Sequence, residues 1–181
     1  MKKYFRAIIC VVYSFIKFNI IRIIHLREFK FPPLNIISPF TEIEIGKRGL
    51  LSIGKRVRIR SGVKLRVRKY AQLTIGNNTF INHRCMITAH QSIKIGSNVQ
   101  IGPNVLIYDH DHDYKSKNSK LYKSSEVDIG DNVWIAANVV ILRGTKIGND
   151  CVVGAGAILR GNYPDNTTIV QKRELTTYLH E

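Results

Sequence analysis

Acidic residues, cysteine and tryptophan are scarce in this 181-residue chain, and its apolar stretches are too short to cross a bilayer. Asp and Glu number 13 against 28 Lys and Arg, a formal net charge of +15, so the surfaces this protein meets are expected to be anionic. Nucleic acid is not the indicated partner. Arg56, Arg58, Arg60, Lys64, Arg66, Arg68 and Lys69 run without interleaved aromatics or a nucleic-acid motif, which leaves a solvated face, anionic lipid or a phosphorylated substrate. Three cysteines, Cys10, Cys85 and Cys151, make an odd set without metal-ligand spacing, which argues against a disulfide framework. Cys85 and Cys151 read as small core residues in a reducing compartment. Hydrophobic content of 44% suits one domain plus a short appendage.

What is present is a beat. From Ile129 the chain runs IGDNVW, IAANVV, ILRGTK, IGNDCV, VGAGAI, with an aliphatic residue first and a small or β-compatible residue fifth. Upstream the same hexads occur at Ile53, Ile59, Ile75, Ile81, Ile95 and Ile101. A six-residue period drifts around a 3.6-residue helix and makes no stripe, whereas three short strands per turn of a β-solenoid accommodate it. The expectation is an all-β parallel solenoid with leading aliphatics stacked in ladders; Ile129, Ile147 and the neighbours of Leu65 are expected in one column. Gly and Asn supply the turns. Three steps depart from six residues: Val67 to Ile75, Ile87 to Ile95, and the long one from Ile107 to Ile129. All three are expected to be corner insertions.

Residues 1–30 differ. Ile8, Val12, Ile16, Ile20 and Ile23 recur at helical spacing with Lys3, Arg6, Ser14 and Lys17 largely on another side, and Pro32 and Pro33 end the helix. Lys17 and Arg22 interrupt the apolar stretch and no small-x-small site follows, which does not fit a secretory signal. Two readings stay open: the apolar face lies in an anionic membrane interface, or it packs on the open end of the solenoid as a cap. The expected organisation is helix and connector over 1–40, solenoid over 41–170 with a loop inserted at 108–128, and a tail over 171–181.

A hexad array broken by Tyr108-Asp109-His110-Asp111-His112-Asp113 and resuming as Ile-Gly-Asp-Asn-Val-Trp-Ile-Ala resembles the hexapeptide-repeat acyltransferases. It is most similar to the O-acetyltransferases of bacterial surface-polysaccharide synthesis and the maltose and galactoside acetyltransferases. That resemblance implies a left-handed coil, a homotrimer with sites between subunits, and acetyl-CoA as donor. Left-handedness runs against the usual hand of parallel crossovers and is not readable from spacing.

Acetyl transfer from a thioester to a sugar hydroxyl needs a base near neutral pKa, the role of an imidazole. His110 and His112 are the candidates, with Asp109, Asp111 and Asp113 available to fix a tautomer. Counting back from Trp134 to the galactoside enzymes selects His110; counting forward from Asn104 selects His112. A metal is the competing reading of His-x-His among acids, but no second ligand pair occurs at useful spacing.

The resemblance further implies that Asn82 contacts the acceptor sugar and that Trp134, the sole tryptophan, lines the site beside the loop in the adjacent coil. Each has a plainer reading, as a turn residue and as packing for the loop. His90 stands where those relatives carry Asp. Backbone around Ala136, Ala137, Ala155 and Gly156 is expected to run along the pantetheine arm of CoA, although small residues there also allow tight stacking. Where relatives place a Gly-Asn-Pro-Ala-Lys phosphate contact this chain has Ile169-Val170-Gln171-Lys172-Arg173-Glu174, so Lys172 and Arg173 are the candidate phosphate ligands or plain tail residues.

The function these expectations compose is a cytoplasmic, acetyl-CoA-dependent sugar O-acetyltransferase of lipopolysaccharide or capsule synthesis, on an acceptor that is a lipid-linked glycan or a free one. N-acyl transfer to a nucleotide-linked amino sugar and a non-catalytic scaffold are the alternatives.

Overall fold

A strand with one buried side needs an apolar residue at every second position, and the hexads supply it with Ile, Val and Leu. The computed structural model describes residues 2–24, 29–32, 35–115, 122–172 and 177. In it these strands wind into a parallel β-solenoid with three faces. Face A holds seven strands, from Phe29–Lys30 and Leu50–Ile53 through Gln72–Ile75, Ser92–Ile95, Val127–Ile129 and Lys146–Ile147 to Asn162–Tyr163. Face B holds seven, from Ile36–Ile37 to Thr168–Ile169, and face C six, from Glu42–Ile45 to Ile158–Leu159.

Register is in step on every face, so like stacks on like. On face A the column runs Ile53, Ile75, Ile95, Ile129, Ile147 and then Tyr163. Leu65 is not in it. Leu65 belongs to face C between Ile43 and Ile87, because the hexad that carries it is the third of its coil. Truncating one of the fully buried rungs, Ile87 or Ile107 for instance, to Ala removes packing on two sides and costs about 2–5 kcal/mol.

The corners explain the Gly and Asn pattern. At the A-to-B corner Asn78, Asn98 and Asn132 adopt φ of 58°, 59° and 58°, followed by Asp150 at 57°. Their amides form a ladder, Asn78 Nδ2 donating to Asn98 Oδ1 (3.0 Å), Asn98 to Asn132 (3.0 Å) and Asn132 to Asp150 (3.1 Å). Asn tolerates the left-handed region better than most residues and here also gains a hydrogen bond from it. Gly76 is required for another reason: a Cβ there would lie 2.5 Å from the backbone of Gly96 in the next coil.

Two of the three irregular steps are not corner insertions. Val67 to Ile75 spans an ordinary four-residue corner, 68–71, and Ile87 to Ile95 spans a corner of only two residues, 90–91. The extra residues lie in the strands, since Lys64–Val67, Gln72–Ile75, Met86–Ala89 and Ser92–Ile95 each have four residues and point two side chains inward. Only the step from Ile107 to Ile129 is an insertion, an arm between the strands Leu106–Tyr108 and Val127–Ile129.

The solenoid also begins earlier than residue 41. Phe29–Lys30 pairs with Leu51 and Ser52, and Ile36–Ile37 with Arg58 and Ile59. Above this first coil lies α1 (Lys2–Ile24), which touches both of those strands. It is a cap, but not through the expected face. Ser14 and Phe18 are the buried residues; Ser14 Oγ donates to the Ile37 carbonyl (2.8 Å), Lys17 Nζ to the Thr41 carbonyl (2.9 Å), and Phe18 packs on Phe29 and Phe31. Burial at this contact lowers the pKa of the Lys17 ammonium. Ile8, Val12, Ile16, Ile20 and Ile23 remain exposed. The open coil offers unpaired backbone carbonyls, so a face with a hydroxyl and an ammonium fits it better than an aliphatic one. The side chains of Lys3 and Arg6 lie outside the described residues. Among the described residues no helix is long and apolar enough to cross a membrane.

Candidate active site

The three corners differ in regularity. A-to-B connections from 54–57 onward and every B-to-C connection have four residues, whereas C-to-A connections run from the pair 90–91 to the arm at 109–126. The candidate residues divide between two of these edges.

The C-to-A edge carries the histidines. Asp109 leaves the strand Leu106–Tyr108 with its side chain 0% exposed, and its carboxylate accepts three backbone N–H groups of the preceding coil. Oδ1 takes that of His90 (2.8 Å), and Oδ2 takes those of Gln91 (2.7 Å) and Ser92 (2.8 Å). The two-residue corner there needs an outside acceptor for its donors, and Asp109 is it. The same Oδ1 lies 3.2 Å from His110 Nδ1, in position to receive that nitrogen's proton as a donor, which leaves Nε2 with its lone pair. The His110 side chain is 13% exposed.

Rings enclose this imidazole. His90 stacks on it with centroids 3.7 Å apart, Tyr108 meets it edge-on at 5.7 Å, and Tyr122 meets it edge-on at 5.4 Å. Burial, with His110 adding to it, pushes the His90 imidazole down to about 4, so it is neutral at pH 7. His112 stands apart, exposed and tilted against Tyr122 at 4.7 Å. The arm is a two-stranded antiparallel ribbon, His110–His112 against Tyr122–Ser124, and Arg143 from the next coil ties it down by bonding Asp111 Oδ2 (2.5 Å) and Ser125 Oγ (3.5 Å). Asp111 is thus an anchor for the arm, and Asp113 pairs with Lys123 (3.0 Å). Among the described residues no group of three or more His, Cys, Asp or Glu gathers in a way that could hold a metal ion.

The B-to-C edge carries the rest. Asn82 and Ala136 open equivalent four-residue turns, and Gly156 sits one coil beyond Asn138, with its N–H bonded to the Ala137 carbonyl (2.9 Å). Ala137, Ala155 and Gly156 therefore line a stack with few side-chain atoms, and Gly102 continues it, a Cβ at 102 meeting the backbone of Ala136 at 2.7 Å. Asn82 Oδ1 accepts the N–H of His83 (2.9 Å), the turn role. Trp134 projects from face B next to this edge and is 57% exposed. It does not sit beside the arm, as expected from the sequence; within one chain face B and the C-to-A corner are different sides of the prism. Lys172 follows the last face B strand and is exposed, and Arg173 lies outside the described residues.

Sequence reasoning missed Arg143, Tyr122 and the stacking role of His90. None lies in a motif; coil pitch brings His90 and Arg143 to the arm, and the antiparallel pairing of the arm itself brings Tyr122 to His110 and His112.

Family comparisons agree with this architecture. The sequence model of Bacterial transferase hexapeptide (six repeats) matches residues 126–161, and that of the Hexapeptide repeat of succinyl-transferase matches 72–109. Hexapeptide repeats thus account for both matched stretches of the solenoid. The chain is 36% identical over 118 residues to the putative lipopolysaccharide biosynthesis O-acetyl transferase WbbJ of Escherichia coli K12, covering 58% of this chain and 60% of that one. It also matches the crystal structure of a hexapeptide-repeat containing acetyltransferase from Vibrio cholerae complexed with acetyl coenzyme A, at TM-score 0.51 and 26% identity over 71% of this chain and 66% of that one. An N-acyltransferase from Bacillus cereus, in complex with dTDP and 3-hydroxybutyryl-CoA, shares the fold at TM-score 0.69 with 20% identity, covering 83% and 82%. The chain spans about half to three fifths of the length of the curated relatives it matches first.

Proposed function

We propose that this chain is an acetyl-CoA-dependent O-acetyltransferase acting on a sugar hydroxyl of a bacterial surface polysaccharide, with His110 as general base. One observation carries the choice of base: the Asp109 carboxylate holds His110 Nδ1 and three backbone N–H groups at once, so the imidazole is oriented, ringed by aromatics and left with Nε2 for substrate. His112, exposed and on the ribbon, lacks such a holder among the described residues. Asp109 is a positioning residue.

The reaction is direct transfer. The acceptor hydroxyl gives its proton to Nε2 as its oxygen attacks the thioester carbonyl; collapse of the tetrahedral adduct breaks the C–S bond, and the departing CoA thiolate takes the proton from the imidazolium. A backbone N–H holds the oxyanion.

The donor lies along the B-to-C edge, where Ala136, Ala137, Ala155 and Gly156 leave room for a pantetheine arm and Lys172 and Arg173 meet phosphate. Since the histidine arm occupies another edge of the same chain, the two halves of the site come together between subunits, and a homotrimer is the assembly that closes such an arrangement cyclically. Trp134 and Asn82 then face the acceptor from the donor's subunit. We place the reaction in the cytoplasm, where acyl-CoA is available and buried thiols such as Cys85, pushed up to about 11 by burial, stay reduced.

The test is transfer from labelled acetyl-CoA to a panel of galactosides and maltosides, followed by hydroxylamine treatment. A labile ester that His110→Ala abolishes and His112→Ala spares supports the reading. A hydroxylamine-stable amide moves the chain to N-acyl transfer, and retention of activity in both single variants and the double variant removes the histidine base.

A further inference from the structure

Two separate observations meet at the capped end of the solenoid. The first is the outward half of α1: Ile8, Ile9, Val12, Phe15, Ile16 and Ile20 are all exposed, with Ile23 and Ile24 continuing the patch at 69% and 70% exposure. At 100° per residue these positions, with Tyr13 and Asn19, occupy about half the helix circumference. Lys17, the one charged residue between 8 and 24 whose side chain is described, sits at the border of that half and bonds the Thr41 carbonyl. An apolar patch of this extent on a helix already docked by its other side has no role in the packing of the solenoid.

The second is the charge distribution. Residues 1–70 hold 17 of the 28 basic side chains and only 3 of the 13 acidic ones, while the remaining residues hold 11 and 10. Of the formal net charge of +15, +14 therefore falls within residues 1–70, the stretch that holds α1 and the first coils. There Arg56 and Arg58 line a cleft with Ile36, on the strand against which α1 packs.

We propose that this end of the prism is a docking surface for an anionic membrane, with α1 lying flat in the interface, its apolar half among the acyl chains and the basic first coils over the headgroups. The occupant follows from the pairing of features. A second copy of the chain would bring the same positive charge against itself, whereas an anionic bilayer satisfies both the apolar half-cylinder and the cations around it. The inference stands independently of which acceptor or acyl group the edges bind.

The test uses the full chain in flotation with vesicles of pure phosphatidylcholine and of phosphatidylcholine containing 30% phosphatidylglycerol. Binding to the anionic vesicles at least about tenfold stronger than to the neutral ones, weakened by 0.5 M salt, is expected. Ile16→Asp with Ile20→Asp, both on the outward half, abolishes binding while the melting temperature stays that of the wild type; Arg56→Glu with Arg58→Glu weakens it and leaves the helix in place. The proposal is overturned if wild-type protein stays unbound, if the double aspartate variant floats as well as wild type, or if light scattering shows a higher oligomer that the aspartates dissolve without any vesicle binding, which would assign the patch to a second copy.

Discussion

The B-to-C and C-to-A edges are made by the same strands, yet one keeps time and the other does not. Every B-to-C turn has four residues, and those along the proposed donor track, 102–105, 136–139 and 154–157, carry no titratable side chain; C-to-A connections range from 90–91 to the arm 109–126 and collect His90, Asp109, His110, His112 and Arg143. The difference shows that a solenoid can vary length, and with it chemistry, on one edge as long as the other two hold register, because in-register stacking needs only that each strand return to its column.

Removing the imidazole tests the sharp side of that contrast most strongly. His110→Ala is expected to lower kcat for acetyl transfer by about 10²–10⁴-fold, and His112→Ala by less than about tenfold, in steady-state assays with acetyl-CoA. If the two losses are equal, the edge acts as a loop of histidines and not as one held base.

Next in size, one residue inserted between Ala137 and Asn138 should shift every inward side chain beyond it and cost several kcal/mol, on the order of losing two core rungs. One residue inserted after Lys115, in the arm, should leave the melting temperature within a few degrees. Equal damage from both would erase the distinction between the edges.

Asp109→Ala orphans the backbone donors of 90–92 at about 1–3 kcal/mol for each N–H that stays buried, and it frees the His110 ring. Denaturation midpoint and kcat for acetyl transfer should therefore fall together.

A smaller effect concerns pH. Because the folded His90 titrates near 4, below its ordinary value of 6.5, the unfolded chain binds more protons between those limits; the contribution of neutral His90 is complete above about 6.5 and is lost as pH falls toward 4. Thermal melts across that window should show stability declining with acid, and His90→Phe, which keeps a ring for stacking, should flatten the decline. The least is Asn138→Ala on the regular edge, at φ 59°, expected to cost about 1 kcal/mol where Asn138→Gly costs little.

How much of this could be read from the chain depends on whether a residue's partner is near in sequence or set by pitch. Ile129 and Ile147 declare their stacking because the period between them is one coil. Leu65 was placed against the wrong column because strands of four residues widen the early coils, and a count of hexads does not say whether surplus residues fall in a strand or a corner. The histidine arm was legible as an interruption, but the choice between His110 and His112 was not, since it rests on Asp109 reaching back to residues 90–92. For α1 the periodicity located an apolar stripe correctly and said nothing of which side docks; Ser14 and Lys17 decide that by bonding carbonyls of the first coil.

Asp109 also ties chemistry to assembly order. Its carboxylate spans two turns of the coil, so the His110 ring is set in place only after the later turn has settled on the earlier one.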